Sequence, residues 1–242
     1  MKNSYYIANW KMNGSKNLVD DYTDILIKSD VPQSSKIIIC PPFTLLDYAK
    51  TNFNKMNNIE LGAQNISSST HGANTGDISA KLVSPYCNYI IIGHSEIREK
   101  GDTNKEIQTK LKLCFENNLI PIVCIGEKLF NKNLDNTLDF IKQQLEAIYL
   151  NINFKNIIIA YEPVWAIGND KFCDPERANK VLGFIHNKAK LLNNQIDTSV
   201  IYGGSVNLDN YKNYLEKQNI NGLLIGRSSL DPQAFYKIIN NS

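Results

Sequence analysis

The sequence predicts an α/β protein built as a single closed (β/α)8 barrel. Three observations predict it. Eight short apolar runs alternate with longer helical patterns. Several of those runs are apolar throughout, as strands covered on both faces must be. The chain has 242 residues, close to the roughly 250 that such a barrel needs. One catalytic domain over residues 1–242 is expected, because no linker, low-complexity tract or break in composition interrupts the rhythm. An open doubly wound sheet is the alternative, and it usually carries fewer strands.

The strand candidates, in order, are Tyr5–Asn9, Lys36–Cys40, Ile59–Ala63, Tyr89–Gly93, Ile120–Ile125, Ile157–Tyr161, Ser199–Tyr202 and Gly222–Ile225. Helical stripes fall between them. Leu18, Tyr22, Ile25 and Leu26 share one face of Leu18–Lys28. Ile107, Leu111 and Cys114 do so in Asn104–Asn117, and Leu138, Ile141, Leu145 and Ile148 in Asn136–Tyr149. Asp174-Pro175 and Asp231-Pro232 read as an N-cap followed by proline in a first helical turn. The longest irregular segment, Gln64 to Gly76, is rich in Ser, Thr, Asn and Gly. A segment of that length in a compact domain is usually functional or disordered.

Composition excludes several classes of function. A net charge of +2 makes no case for nucleic acid or a charged membrane surface. No apolar run approaches the roughly 18 residues of a membrane span, and the first residues lack the apolar core of a signal peptide. The five cysteines are odd in number, form no CxxC and have no histidine beside a pair. They point to neither a disulfide framework nor a zinc site. A reducing cytoplasm is the expected compartment, with no metal and no cofactor.

In a barrel of this kind the active site stands at the C-terminal ends of the strands. The sixth run ends in Glu162, and Pro163 stops the strand before an apolar stretch, Val164-Trp165-Ala166-Ile167. A carboxylate held at a strand end, next to a segment that shuts out water, suits abstraction of a proton from carbon. After the first strand, Lys11 follows Asn9 and Trp10; an isolated lysine would ordinarily be a solvated one. After the fourth, His94 precedes Ser95 and Glu96. A helix starting there would oppose protonation of the ring and favour an imidazole that donates a hydrogen bond. After the seventh and eighth come Gly203-Gly204-Ser205 and Gly226-Arg227-Ser228. Glycine turns that open a helix bring backbone N–H groups to phosphate oxygens, and these two strand ends are the recurring phosphate site of the fold. Taken singly, each of these groups has an ordinary structural explanation.

Taken together they resemble the triosephosphate isomerase family over nearly the full chain, a TIM barrel. The residues that carry the resemblance are Asn9-Trp10-Lys11, Gly93-His94-Ser95-Glu96, Cys124-Ile125-Gly126-Glu127, Glu162 to Gly168, and Tyr202-Gly203-Gly204-Ser205. The family is a standard worked example of a glutamate base beside a neutral histidine under a closing loop. The resemblance implies interconversion of dihydroxyacetone phosphate and D-glyceraldehyde 3-phosphate through an enediolate. It makes Glu162 the base, His94 the electrophile and Lys11 the positive charge for the enediolate and the phosphate, with Asn9 positioning Lys11 and the substrate and Glu96 the ionic neighbour of Lys11. Gly168, Ser205, Gly226 and Arg227 become phosphate donors. Pro163 to Cys173 becomes a lid, including Pro163, Val164, Trp165, Ala166 and Ile167, with Glu127 and Tyr202 as its partners when open and closed. Thr75, in Thr75-Gly76-Asp77, becomes a contact to a second subunit of a homodimer. Departures from the usual pattern are Ile97, Asp170, Phe172, Cys173 and Arg227, and the expected consequence is slower lid closure or weaker substrate binding. A barrel enzyme for another phosphorylated substrate has no reason to join Asn9, Lys11, His94 and Glu162. An idle scaffold has no reason to keep all four.

Overall fold

The computed structural model describes residues 4–27, 31, 32, 34–54, 56, 58–149, 152, 154–167 and 171–240. Eight parallel strands close into a barrel in chain order. They are β1 (Ser4–Asn9), β2 (Ser35–Cys40), β3 (Ile59–Ala63), β4 (Tyr89–Ile92), β5 (Ile120–Ile125), β6 (Asn156–Tyr161), β7 (Asp197–Tyr202) and β8 (Gly222–Ile225). β8 returns to pair with β1, Tyr5 opposite Gly222 and Ala8 opposite Ile225. Every expected strand is present, within a residue or two at its ends.

Alternation divides the apolar side chains between two cores. Ile7, Ile38, Cys40, Ile91, Ile122, Cys124, Ile158, Ala160, Ile201 and Leu224 fill the barrel interior. Their neighbours, such as Ala8, Ile39, Ile92, Val123, Ile159 and Val200, face the helices. The inward position on β3 is Gly62, where a Cβ would stand 2.6 Å from Cys40 Sγ.

The described helices are α1 (Lys16–Leu26), α2 (Leu46–Phe53), α3 (Ala80–Val83), α4 (Ser95–Glu99), α5 (Asn104–Glu116), α6 (Leu134–Tyr149), α7 (Pro175–Leu192), α8 (Tyr211–Leu215) and α9 (Pro232–Asn240). Their starts follow from capping. Asp174 accepts the Arg177 N–H with Pro175 in the first turn. Asp231 accepts from Gln233 and Ala234 ahead of α9. Thr103 and Glu106 form a reciprocal capping box on α5. The sequence reading did not single out the short helices α2, α3 and α8, and gave α4 only as a helix start beside His94. Among the described residues no helix is long and apolar enough to cross a membrane. The segment between β3 and α3 is ordered by turns: Ser67 N–H donates to the Ile78 carbonyl, and Ser67 Oγ to Asp77 Oδ2 at 2.7 Å.

Candidate active site

The mouth of the barrel is furnished by the alternation that fills its interior. Ile158 and Ala160 point inward on β6, so Glu162, two residues on, faces the same axis. It is 2% exposed. Its N–H donates to the Ile125 carbonyl at 2.7 Å, which carries the β5–β6 pairing one step past the strands. The carboxylate is held by the Ser95 N–H, 3.0 Å from Oε2. Oε1 lies 3.2 Å from His94 Nε2 but is in no aligned hydrogen bond. Missing side chains make room for it. A Cβ on Gly126 would stand 1.7 Å from the Glu162 carbonyl oxygen, and one on Gly203 3.2 Å from Glu162 Cγ.

His94 reaches the mouth because Gly93 has φ +69, a backbone that glycine adopts at no steric cost. His94 then caps α4, its Nδ1 accepting the Glu96 N–H at 3.2 Å. A nitrogen that accepts cannot hold the ring proton, so the proton sits on Nε2, the atom facing Glu162.

Lys11 has φ 53, a left-handed backbone uncommon outside glycine. Such a conformation costs about 1–3 kcal/mol and persists where its surroundings fix it. Here Asn9 Oδ1 accepts the Lys11 N–H at 3.1 Å, and Gln64 Nε2 donates to the Lys11 carbonyl at 2.8 Å. The ammonium meets Glu96 Oε1 at 2.7 Å. Burial alone would raise the Glu96 carboxyl; the Lys11 hydrogen bond and charge, with His94 and Lys100, outweigh it and leave its pKa lowered.

Opposite these groups lie the glycine turns. Gly204 must lack a side chain, because a Cβ there would stand 2.1 Å from Tyr202 Oη. Arg227 opens a 3-10 turn with negative φ, so the residue in place of a common glycine imposes no backbone strain. A cleft of about 730 Å³ joins Asn9, Lys11, His94, Glu96, Glu162, Ile167, Ser205, Gly226 and Arg227. The structure therefore brings all the expected catalytic residues, and the described phosphate-binding ones, to one place. Gly168 and Asp170 lie outside the described residues. Thr75 stands apart, exposed on the segment before α3.

The root of the expected lid is pinned beside the cleft. Pro163 opens a 3-10 turn, Val164–Ala166. Val164 N–H donates to the Glu127 carbonyl at 3.0 Å, and Trp165 Nε1 to Glu127 Oε1 at 2.9 Å. Tyr161 shares that carboxylate oxygen at 3.0 Å. Ser205 Oγ donates to the Ala166 carbonyl at 2.7 Å. Phe130 packs edge-on against Trp165, with ring centroids 4.8 Å apart. The Tyr202 hydroxyl is buried and has no hydrogen-bond partner among the described residues.

The match to known proteins covers the same residues. The triosephosphate isomerase family model matches residues 4–242. The chain belongs to the triosephosphate isomerase family. It is 40% identical to a triosephosphate isomerase of Aquifex aeolicus, with 96% of each chain covered. It is 39% identical to that of Blochmanniella floridana, over 100% of this chain and 97% of the other. It is also 39% identical to that of Dictyoglomus thermophilum, with both chains covered in full.

Two residues that serve the site went unread in the sequence. Ser95 acts through its backbone N–H, which carries no residue-specific signal. Gln64 bridges the Lys11 and Cys40 carbonyls at 2.8 and 2.9 Å. Its signal was parity: it stands two residues beyond inward-facing Gly62.

Proposed function

We propose that the protein is a triose-phosphate isomerase, interconverting dihydroxyacetone phosphate and D-glyceraldehyde 3-phosphate in glycolysis and gluconeogenesis. The observation that carries this reading is the Glu162–His94 pair, 3.2 Å apart and facing one cleft with Lys11. Glu162 takes the proton from the hydroxyl-bearing carbon next to the carbonyl. The electron pair left behind moves into the carbonyl and makes an enediolate. His94 Nε2–H donates to the oxygens as charge grows on them, and Lys11 supplies positive charge beside them. Donors aimed at developing charge are usually the largest catalytic term. Glu162 then returns the proton to the neighbouring carbon while the hydroxyl proton passes from one oxygen to the other beside His94, so nothing is consumed and no cofactor takes part.

The phosphate is held by backbone N–H groups of Gly168, Ser205, Gly226 and Arg227. Lid closure over it excludes water and uses binding energy from the non-reacting end. Trp165 bound to Glu127 corresponds to the open form, and Tyr202 to the partner awaiting closure. The protein works in the cytoplasm as a homodimer. Supporting the dimer, Met12 is 97% exposed and Leu82 59% exposed. They lie on the segments after strands β1 and β3. Thr75 reaches from its loop to the Asn9–Lys11 region of the second copy.

The test is turnover of glyceraldehyde 3-phosphate, coupled to reduction of dihydroxyacetone phosphate, with Glu162→Gln purified in parallel. Fast turnover is expected in the wild type and its loss in the variant. Glu162→Asp is expected to fold normally and to lose about 10²-fold in kcat, because a base withdrawn by roughly 1 Å costs that much. Equal trace activity in wild type and Glu162→Gln would overturn the reading, as would an unchanged kcat in Glu162→Asp.

A further inference from the structure

The far end of the lid is held by a side chain outside the cleft. Tyr214, on α8, is fully buried, and its hydroxyl donates to the Cys173 carbonyl at 2.6 Å. Its ring lies flat on that of Tyr202, with centroids 4.0 Å apart and planes 15° apart. Among the described residues, the buried Tyr202 hydroxyl makes no hydrogen bond of normal geometry, in space that Gly204 keeps open. Cys173 directly precedes Asp174, the N-cap of α7. From Cys173 onward the chain is therefore fixed twice: by the cap, and by a hydroxyl bond from another βα unit.

We propose that Tyr214 is a positioning residue for the isomerase, fixing the Cys173 carbonyl as the pivot of the lid and holding the Tyr202 ring ready to receive the closed lid. The proposal rests on the isomerase reading above and adds a residue to it. A carbonyl fixed at one end leaves the lid fewer open arrangements, so less order has to be gained when it closes over phosphate. Burial pushes the Tyr214 hydroxyl up to about 12, so it remains a donor throughout the neutral range. The tether contributes to binding and makes no contact with the reacting carbons. Its loss should therefore appear in KM and in phosphate affinity, with kcat at saturation nearly unchanged.

Tyr149 provides a matched control. It is also buried, and its hydroxyl lies 2.6 Å from Thr198 Oγ1 near the start of β7, away from the mouth. Tyr214→Phe keeps the ring stack and deletes one hydroxyl; Tyr149→Phe deletes one elsewhere. Both should lower Tm. Only Tyr214→Phe should raise KM for glyceraldehyde 3-phosphate and the inhibition constant of inorganic phosphate, by about fivefold, as expected for one hydrogen bond. Amide hydrogen exchange over 171–177 should quicken in Tyr214→Phe alone. Tyr214→Leu, which loses ring and hydroxyl together, should raise KM at least as much. The proposal is overturned if Tyr214→Phe matches Tyr149→Phe in KM, in phosphate inhibition and in exchange over 171–177. A wild type without isomerase activity overturns the isomerase reading, while the exchange comparison still decides whether Tyr214 holds the hinge.

Discussion

Replacing Gly126 by alanine should cripple catalysis from a position that touches no substrate. The new Cβ would stand 1.7 Å from the Glu162 carbonyl oxygen and 2.5 Å from its carbonyl carbon. Both obstacles are backbone, so no rotamer relieves them. Ordinary contact begins at 3.4 Å, which demands an opening of about 1.7 Å between the ends of β5 and β6. If half of that falls on β6, the proposed base, Glu162, moves by about 0.8 Å. At about 10²-fold per ångström of misplacement, kcat/KM falls about 50-fold, equivalent to about 2.3 kcal/mol. Gly203→Ala places its Cβ 3.2 Å from Glu162 Cγ. A few tenths of an ångström relieves that contact, for a loss of about two- to threefold. Gly62→Ala is the control, since its clash is with Cys40 Sγ inside the barrel. It should lower Tm and leave the activity per folded molecule in place. The assay is kcat/KM on purified variants, scaled to the folded fraction by circular dichroism. A folded Gly126→Ala within about threefold of wild type would refute the reasoning, and so would equal losses in all three variants.

Two further outcomes follow from the same geometry. Glu96 has a lowered pKa in the fold, so its contribution to stability is full above the unfolded carboxylate value of about 4.3 and is lost as pH falls through the folded value. The Tm difference between wild type and Glu96→Gln should therefore hold at neutral pH and vanish in acid; a difference that grows on acidification would contradict the assignment. Met12 is almost wholly exposed in the single chain, so Met12→Glu should leave the fold intact but make the protein sediment as a monomer at micromolar concentration. A variant that stays dimeric, or a wild type that is monomeric and fully active at nanomolar concentration, would remove the dimer from the mechanism.

The strands were legible because their inward and outward faces are both apolar, as Ile157-Ile158-Ile159-Ala160 illustrates. Glu162 was legible because a charge directly after such a run has only the mouth to occupy. The helices α3, α4 and α8, of four or five residues, gave no periodicity to read, because one turn cannot repeat a stripe. The left-handed backbone of Lys11 was hidden for another reason: a Gln64 side chain from 53 residues away helps hold it. Tyr214 has no local signal either. Nothing near residue 214 in the chain indicates that its hydroxyl meets a carbonyl 41 residues earlier. The long polar segment after β3 was expected to be functional or disordered. It is ordered by turns about Ser67, Asn74 and Asp77.

The pairing of β8 with β1 sets a condition on how the molecule is made. Residues Tyr5 to Ala8 find their second neighbour only in Gly222 to Ile225, more than two hundred residues later. While a ribosome is still adding the intervening units, the growing sheet has two open edges, and each is a template for pairing with another chain. The loss on synthesis is thus concentrated in the interval before the last strand emerges, when chaperones have most to protect. A message truncated ahead of residue 222 would yield a product that can neither close nor hide its edges, however well its first seven strands have paired.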